Sequence, residues 1–188
     1  MRYFKLVYDF ENDDDYAIVK SSNKAEDYDS DIVKGELIDN WDKNIKFEYN
    51  IDDGKILSDY LASDNGWVIV SKKFQDVMKE IIEGNIQYLD IGIINNKTKE
   101  EDNTYKIVNV TKLLDALDLE NSVYDFFELD DEKILSVEKY ALKQDVIKNC
   151  NIFKLKDETI PVFVSEKVKD IVEQNSLIGF QFLEVKVV

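Results

Sequence analysis

Carboxylates are the abundant reactive groups of this chain. Forty Asp and Glu face 24 Lys and Arg in 188 residues, for a formal net charge of −16. Two carboxyl groups about 5–10 Å apart in unlike surroundings can share acid and base roles on a glycosidic bond. Here acids are so many that no single pair stands out. Asp13-Asp14-Asp15 and the alternating Asp27, Asp29 and Asp31 imitate calcium-loop spacing. An EF-hand loop begun at Asp27 needs Gly at its sixth position and Glu at its twelfth. Ile32 and Ile38 stand there, so the pattern fails. Histidine is absent and Cys150 is the single cysteine. Ser-His-Asp and Cys-His catalysis, His-ligated metals and thiolate zinc sites are thereby excluded. Ser71 and Ser165 have neither an activating base nor a glycine elbow. The six glycines are scattered and form no phosphate-cradling loop. No cofactor is expected.

The acids are unevenly spread. Residues 9–64 hold 17 acids and six lysines, and residues 9–31 alone hold nine acids and two lysines. So acidic a chain repels phosphate backbones and anionic lipid, which disfavours nucleic acid and membrane as partners and favours a basic protein. No apolar run approaches the roughly 20 residues of a membrane span. The first eight residues read as a strand rather than a signal peptide, so the expectation is a cytoplasmic chain with Cys150 reduced.

These residues must be carried by a core, and 44% apolar with 12% aromatic residues is ample for one. The organising feature is an internal repeat. Residues 67–91 align without a gap on residues 161–185, at an offset of 94. Val70, Ser71, Lys73, Asp76, Gln87 and Leu89 recur as Val164, Ser165, Lys167, Asp170, Gln181 and Leu183. Each copy reads as a short apolar strand, a helix with Ser71 or Ser165 as its N-cap, a break at Gly84 or Gly179, and a second strand. The helical faces predicted to be buried are Phe74, Val77 and Ile81, and Val168, Ile171 and Val172. Further strands are predicted at residues 3–8, 45–49, 105–110, 124–129, 134–137 and 152–155. Thr111 is predicted to cap a helix through Leu113, Leu114 and Leu117. The expected class is α+β with a mixed or antiparallel sheet. Its two related halves are 1–94 and 95–188, joined near the polar run 95–103 in one compact protein.

Tryptophan serves both cores and interface hot spots. Trp67 opens an apolar run and reads as core. Trp41 sits between Asn40 and Asp42, and both readings stay open for it.

Gly66-Trp67-Val68-Ile69-Val70-Ser71-Lys72-Lys73-Phe74 is one part of a wider likeness. The stretch from Tyr105 to Asp118, with Leu113-Leu114-Asp115-Ala116-Leu117, is another. So is the ending from Val162-Phe163-Val164-Ser165 through Ile178-Gly179-Phe180-Gln181-Phe182. Together they resemble the immunity-protein domain of bacterial polymorphic toxin systems, first described as a domain of unknown function. The resemblance runs from about residue 41 to 185 and is weakest over the acidic start. It implies a cytoplasmic antitoxin-like protein that binds and neutralises a cognate toxin, and it offers no catalytic residues. Asp13, Asp14, Asp15, Asp27, Asp29, Asp31 and Trp41 are the candidate toxin-binding residues, for a basic toxin domain. Two other readings stand beside this one: a carboxylate- or metal-dependent enzyme, and a regulatory or structural module without a toxin.

Overall fold

The alternation of apolar and polar residues along the strands settles which side chains share a core. A computed structural model describes residues 1–12, 15–21, 24–82, 84–129 and 132–188. Residues 1–66 hold β1 (Tyr3–Tyr8), β2 (Ile18–Ser21), a 3-10 turn (Lys24–Tyr28), α1 (Asp29–Lys34), β3 (Lys46–Tyr49) and β4 (Tyr60–Ser63). The first repeat copy follows as β5 (Ile69–Val70), α2 (Lys72–Ile82) and β6 (Ile86–Asp90). Next come β7 (Gly92–Asn95), β8 (Glu101–Asp102), β9 (Lys106–Val110), β10 (Leu113–Leu114), β11 (Val123–Leu129), β12 (Glu132–Lys139) and β13 (Ala141–Leu142). The chain closes with α3 (Gln144–Ile147), β14 (Ile152–Leu155) and the second copy: β15 (Val162–Ser165), α4 (Glu166–Gln174) and β16 (Phe180–Val187). The class is α+β, as expected.

Two mixed sheets and a hairpin result. One sheet has the order β6-β9-β5-β4-β2-β3-β7-β8 and the other β10-β14-β15-β1-β16-β13, while β11 and β12 pair with each other. In the first copy, β5 and β6 both run antiparallel to β9, which lies between them. In the second, β15 and β16 both run antiparallel to β1. The register repeats as well. Val70 and Asp90 face Lys106, and their counterparts 94 residues on, Val164 and Glu184, face Phe4.

Successive strand residues point to opposite faces. Phe4, Leu6, Val108, Val110, Val162 and Val164 enter a cluster shared by both sheets, together with Phe74, Met78, Val168 and Val172 of the helices. Ile69, Ile107 and Phe47 enter a second cluster under the other face of the eight-stranded sheet. Tyr3, Phe153 and Phe163 enter a third, beside the six-stranded sheet. Each such side chain contributes roughly 1.5–3 kcal/mol by leaving water.

The structure corrects several expectations. Leu113 and Leu114 form a strand parallel to β14, not a helix. The apolar run is only two residues long. The Lys154 and Lys156 amides reach the Lys112 and Leu114 carbonyls, and the Thr111 amide donates to Asn85 instead of opening a helix. The α2 face is rotated: Met78 and Ile82 lie deepest, and Val77, Ile81 and Ile171 flank the core. The polar run 95–103 holds β8, which pairs with β7, and the Asn95 side chain is buried as its oxygen accepts from the Lys97 and Thr98 amides. Ser71 caps α2, its hydroxyl accepting the Phe74 amide at 3.2 Å and donating to Asp59 at 2.5 Å. Ser165 occupies the N-cap position of α4 without a side-chain cap bond, because its hydroxyl donates to Asn151 Oδ1 at 2.8 Å.

Candidate functional site

The acidic surface is built on a short frame. Ala25 and Ile32 insert into the second cluster, so the 3-10 turn and α1 lie against the eight-stranded sheet. Helix α1 ends at Gly35, whose φ of +70° is left-handed. A Cβ there would stand 2.5 Å from the Val110 carbonyl, so glycine is required on both counts. Lys154, from β14 of the other sheet, is 4% exposed. Its ammonium donates to the Ile32 and Val33 carbonyls at 2.7 and 2.9 Å, which ties the last turn of α1 to the six-stranded sheet. Burial holds this lysine down to about 8.

The candidate residues divide by element. Asp27, Asp29 and Asp31 lie on the 3-10 turn and α1. Asp15 belongs to a separate turn, where its carbonyl accepts the Lys55 and Ile56 amides. Asp13 and Asp14 lie outside the described residues. Trp67 is 3% exposed and donates its indole N–H to Asp29 Oδ1 at 2.9 Å. Asp29 therefore partners the first repeat copy and is not a free surface charge. Trp41 is half-buried against the second cluster. Its N–H donates to the Asp90 carbonyl at 2.7 Å, and its ring lies 4.6 Å from Tyr28 and 6.4 Å from Trp67. The Tyr28 hydroxyl donates to the Asn40 carbonyl at 2.9 Å and accepts the Asp42 amide at 3.1 Å. Next to Trp41, the backbone and side-chain amides of Asn44 hold the Asp42 carboxyl below its ordinary value.

Trp41, Trp67, Tyr28 and Asp29 thus form one aromatic and acidic cluster. Trp67 and the Asp29 carboxylate are spent on each other, so Trp41 and Tyr28 are the rings of this cluster that reach its partly exposed side, and the cluster holds no nucleophile paired with a base. Among the described residues no three Asp, Glu or Cys side chains gather as a metal site. No helix of the described residues is long and apolar enough to cross a membrane.

Sequence reasoning did not single out the exposed aromatics of β11 as functional: Tyr124, Phe126 and Phe127. A signal was present. Phe126 and Phe127 are adjacent, and a strand turns adjacent residues to opposite faces, so both faces of this hairpin must carry an aromatic ring.

The sequence matches the immunity protein family Imm11 over residues 2–187, the acidic start included. The chain belongs to this family. No curated protein matches it.

Proposed function

We propose that this protein binds a cognate toxin in the cytoplasm and neutralises it by occupying the toxin's working surface, without catalysis of its own. Membership of the immunity protein family across essentially the whole chain is the observation that carries this reading. The charge supports a basic toxin domain, since a net of −16 attracts cations from a distance. The acids between residues 15 and 31 accelerate the encounter, with Asp15 and Asp27 exposed, Asp31 partly buried and Asp29 shared with Trp67. Trp41 offers its exposed edge to the same partner, and Asp13 and Asp14 add charge to this stretch. The repeated register around β9 and β1 supports a scaffold of two related halves, 1–94 and 95–188, that presents these surfaces.

Co-expression tests the reading. A candidate cognate toxin domain is produced with and without the protein in a sensitive host. Growth restored only in its presence is the expected result, and growth arrest in both cultures would overturn the proposal.

A further inference from the structure

Among the described residues, the β11–β12 hairpin pairs with no strand of either sheet. Its register places Tyr124 opposite Val137 and Phe126 opposite Leu135 on one face. Phe127 stands opposite Ile134 on the other. Leu135 and Val137 pack on the third cluster and fasten the hairpin to the six-stranded sheet. The remaining apolar surface is open: Phe127 is 50% exposed, Val123 47%, Phe126 41% and Tyr124 39%. Several large apolar side chains exposed on one small element mark an interaction surface more often than chance placement. Beside the hairpin base runs a groove of about 390 Å³, lined by Val123, Tyr140 and a Leu183 that is 46% exposed, with three lysines against two glutamates at its walls, so it suits an apolar side chain rather than a cation.

Charge chooses the occupant. Residues 118–139 hold eight acids and two lysines. The Lys133 ammonium lies 4.3 Å from the centre of the Phe126 ring and covers that face from within the chain, which leaves Phe127, 50% exposed, as the open aromatic anchor. Exposed aromatic anchors on so acidic a segment fit a basic protein surface that also presents an apolar side chain to the groove. We propose that the β11–β12 hairpin is the anchoring surface for such a partner and, resting on the function proposed above, that the partner is the toxin domain. The hairpin lies over the third cluster and α1 over the second, so the two surfaces can be altered separately. Anchors of this kind govern how slowly a complex dissociates, whereas outlying charges govern how fast it forms.

The test measures, with three proteins, the binding kinetics of the toxin domain that this protein protects against in co-expression. They are the unaltered chain, a Val123→Thr/Phe127→Ser variant, and a variant with Asp15, Asp27 and Asp31 changed to Asn. The hairpin variant is expected to dissociate about thirtyfold faster or more, with association changed by less than about threefold. A folded hairpin variant that dissociates within about twofold of the unaltered chain overturns the hairpin proposal and leaves the toxin reading standing. No binding by the unaltered chain overturns both. Should the variant not fold, hydrogen exchange in the unaltered protein decides instead. Slower exchange of the β11 and β12 amides on adding toxin is expected, and unchanged exchange there overturns the proposal.

Discussion

Around β9, the first strand–helix–strand unit sets Val70 and Asp90 opposite Lys106, and Asp90 pairs with that lysine at 2.8 Å. Around β1, the second sets Val164 and Glu184 opposite Phe4, which is buried in the shared cluster between the helices and sheets. The pairing geometry is the same and the chemistry is not. In the first unit the central strand follows the copy in sequence, whereas in the second it comes from the other end of the chain. The units also differ in what covers their far faces. Aromatic rings and the acidic α1 cover the first, while an apolar cluster and the half-open hairpin cover the second. A scaffold whose inner pairing repeats can thus carry two unlike outer surfaces.

The comparison can be broken by core truncation. Ile69 and Phe163 occupy equivalent positions 94 residues apart and are both fully buried, in different clusters. Phe163→Ala should cost about 3–5 kcal/mol and Ile69→Ala about 2–5 kcal/mol in denaturant unfolding. A loss below about 1 kcal/mol at either position would show that its outer cluster is not packed.

Next in size is the pH dependence of the lysine that joins the two sheets. Burial lowers Lys154 from 10.5 to about 8. Between those values the unfolded chain binds the extra proton, so this group's contribution to native stability rises with pH across the window. Below about pH 8 the lysine is charged in both states, and its burial cost is fully present. Lys154→Met removes the titration. From pH 8 to 10.5 the unaltered protein should gain about 1–3 kcal/mol relative to the variant. Burial raises Tyr60, Tyr105 and Tyr140, which act in the opposite sense above pH 10. They are common to both proteins and cancel. A pH-independent difference would mean that the lysine is not desolvated.

The two helix starts give a smaller and sharper contrast. Ser71→Ala should cost about 1 kcal/mol and speed hydrogen exchange at the Phe74 amide, because a cap is lost. Ser165→Ala should cost about 1–2 kcal/mol by leaving Asn151 Oδ1 without its donor, and should leave exchange in the first turn of α4 unchanged. Faster exchange there would restore the capping role to Ser165.

The smallest effects belong to the acidic turn and α1. Asp29→Ala should cost about 1 kcal/mol by removing the partner of the buried Trp67 N–H. Asp27→Ala should change stability by less than about 0.5 kcal/mol, as exposed charges generally do. Equal effects at both positions would contradict the bond between Asp29 and Trp67.

Much of the scaffold was legible because it is written in local periodicity. The alternation in residues 3–8 yields β1 with the bounds expected of it, and residues 105–110, 124–129 and 152–155 fall on strands as read. Elements specified by partners far along the chain were not legible. Leu113 and Leu114 have no strand period of their own, and pairing with β14 makes them extended. The role of Ser165 depends on Asn151, and that of Lys154 on carbonyls more than a hundred residues away. Of the candidate site, the residue types were visible but the division of labour was not. Nothing in the order of residues says that Asp29 meets Trp67 while Asp27 meets solvent.

The central claim is that this protein is a stoichiometric binder of a toxin. Calorimetric titration of the purified protein into a candidate cognate toxin domain is the decisive measurement. The account predicts a single transition at one protein per toxin with a Kd at or below about 10 nM, within the range of specific interfaces of standard size. No saturable heat with both proteins at about 10 µM, under conditions where each is folded, would contradict it.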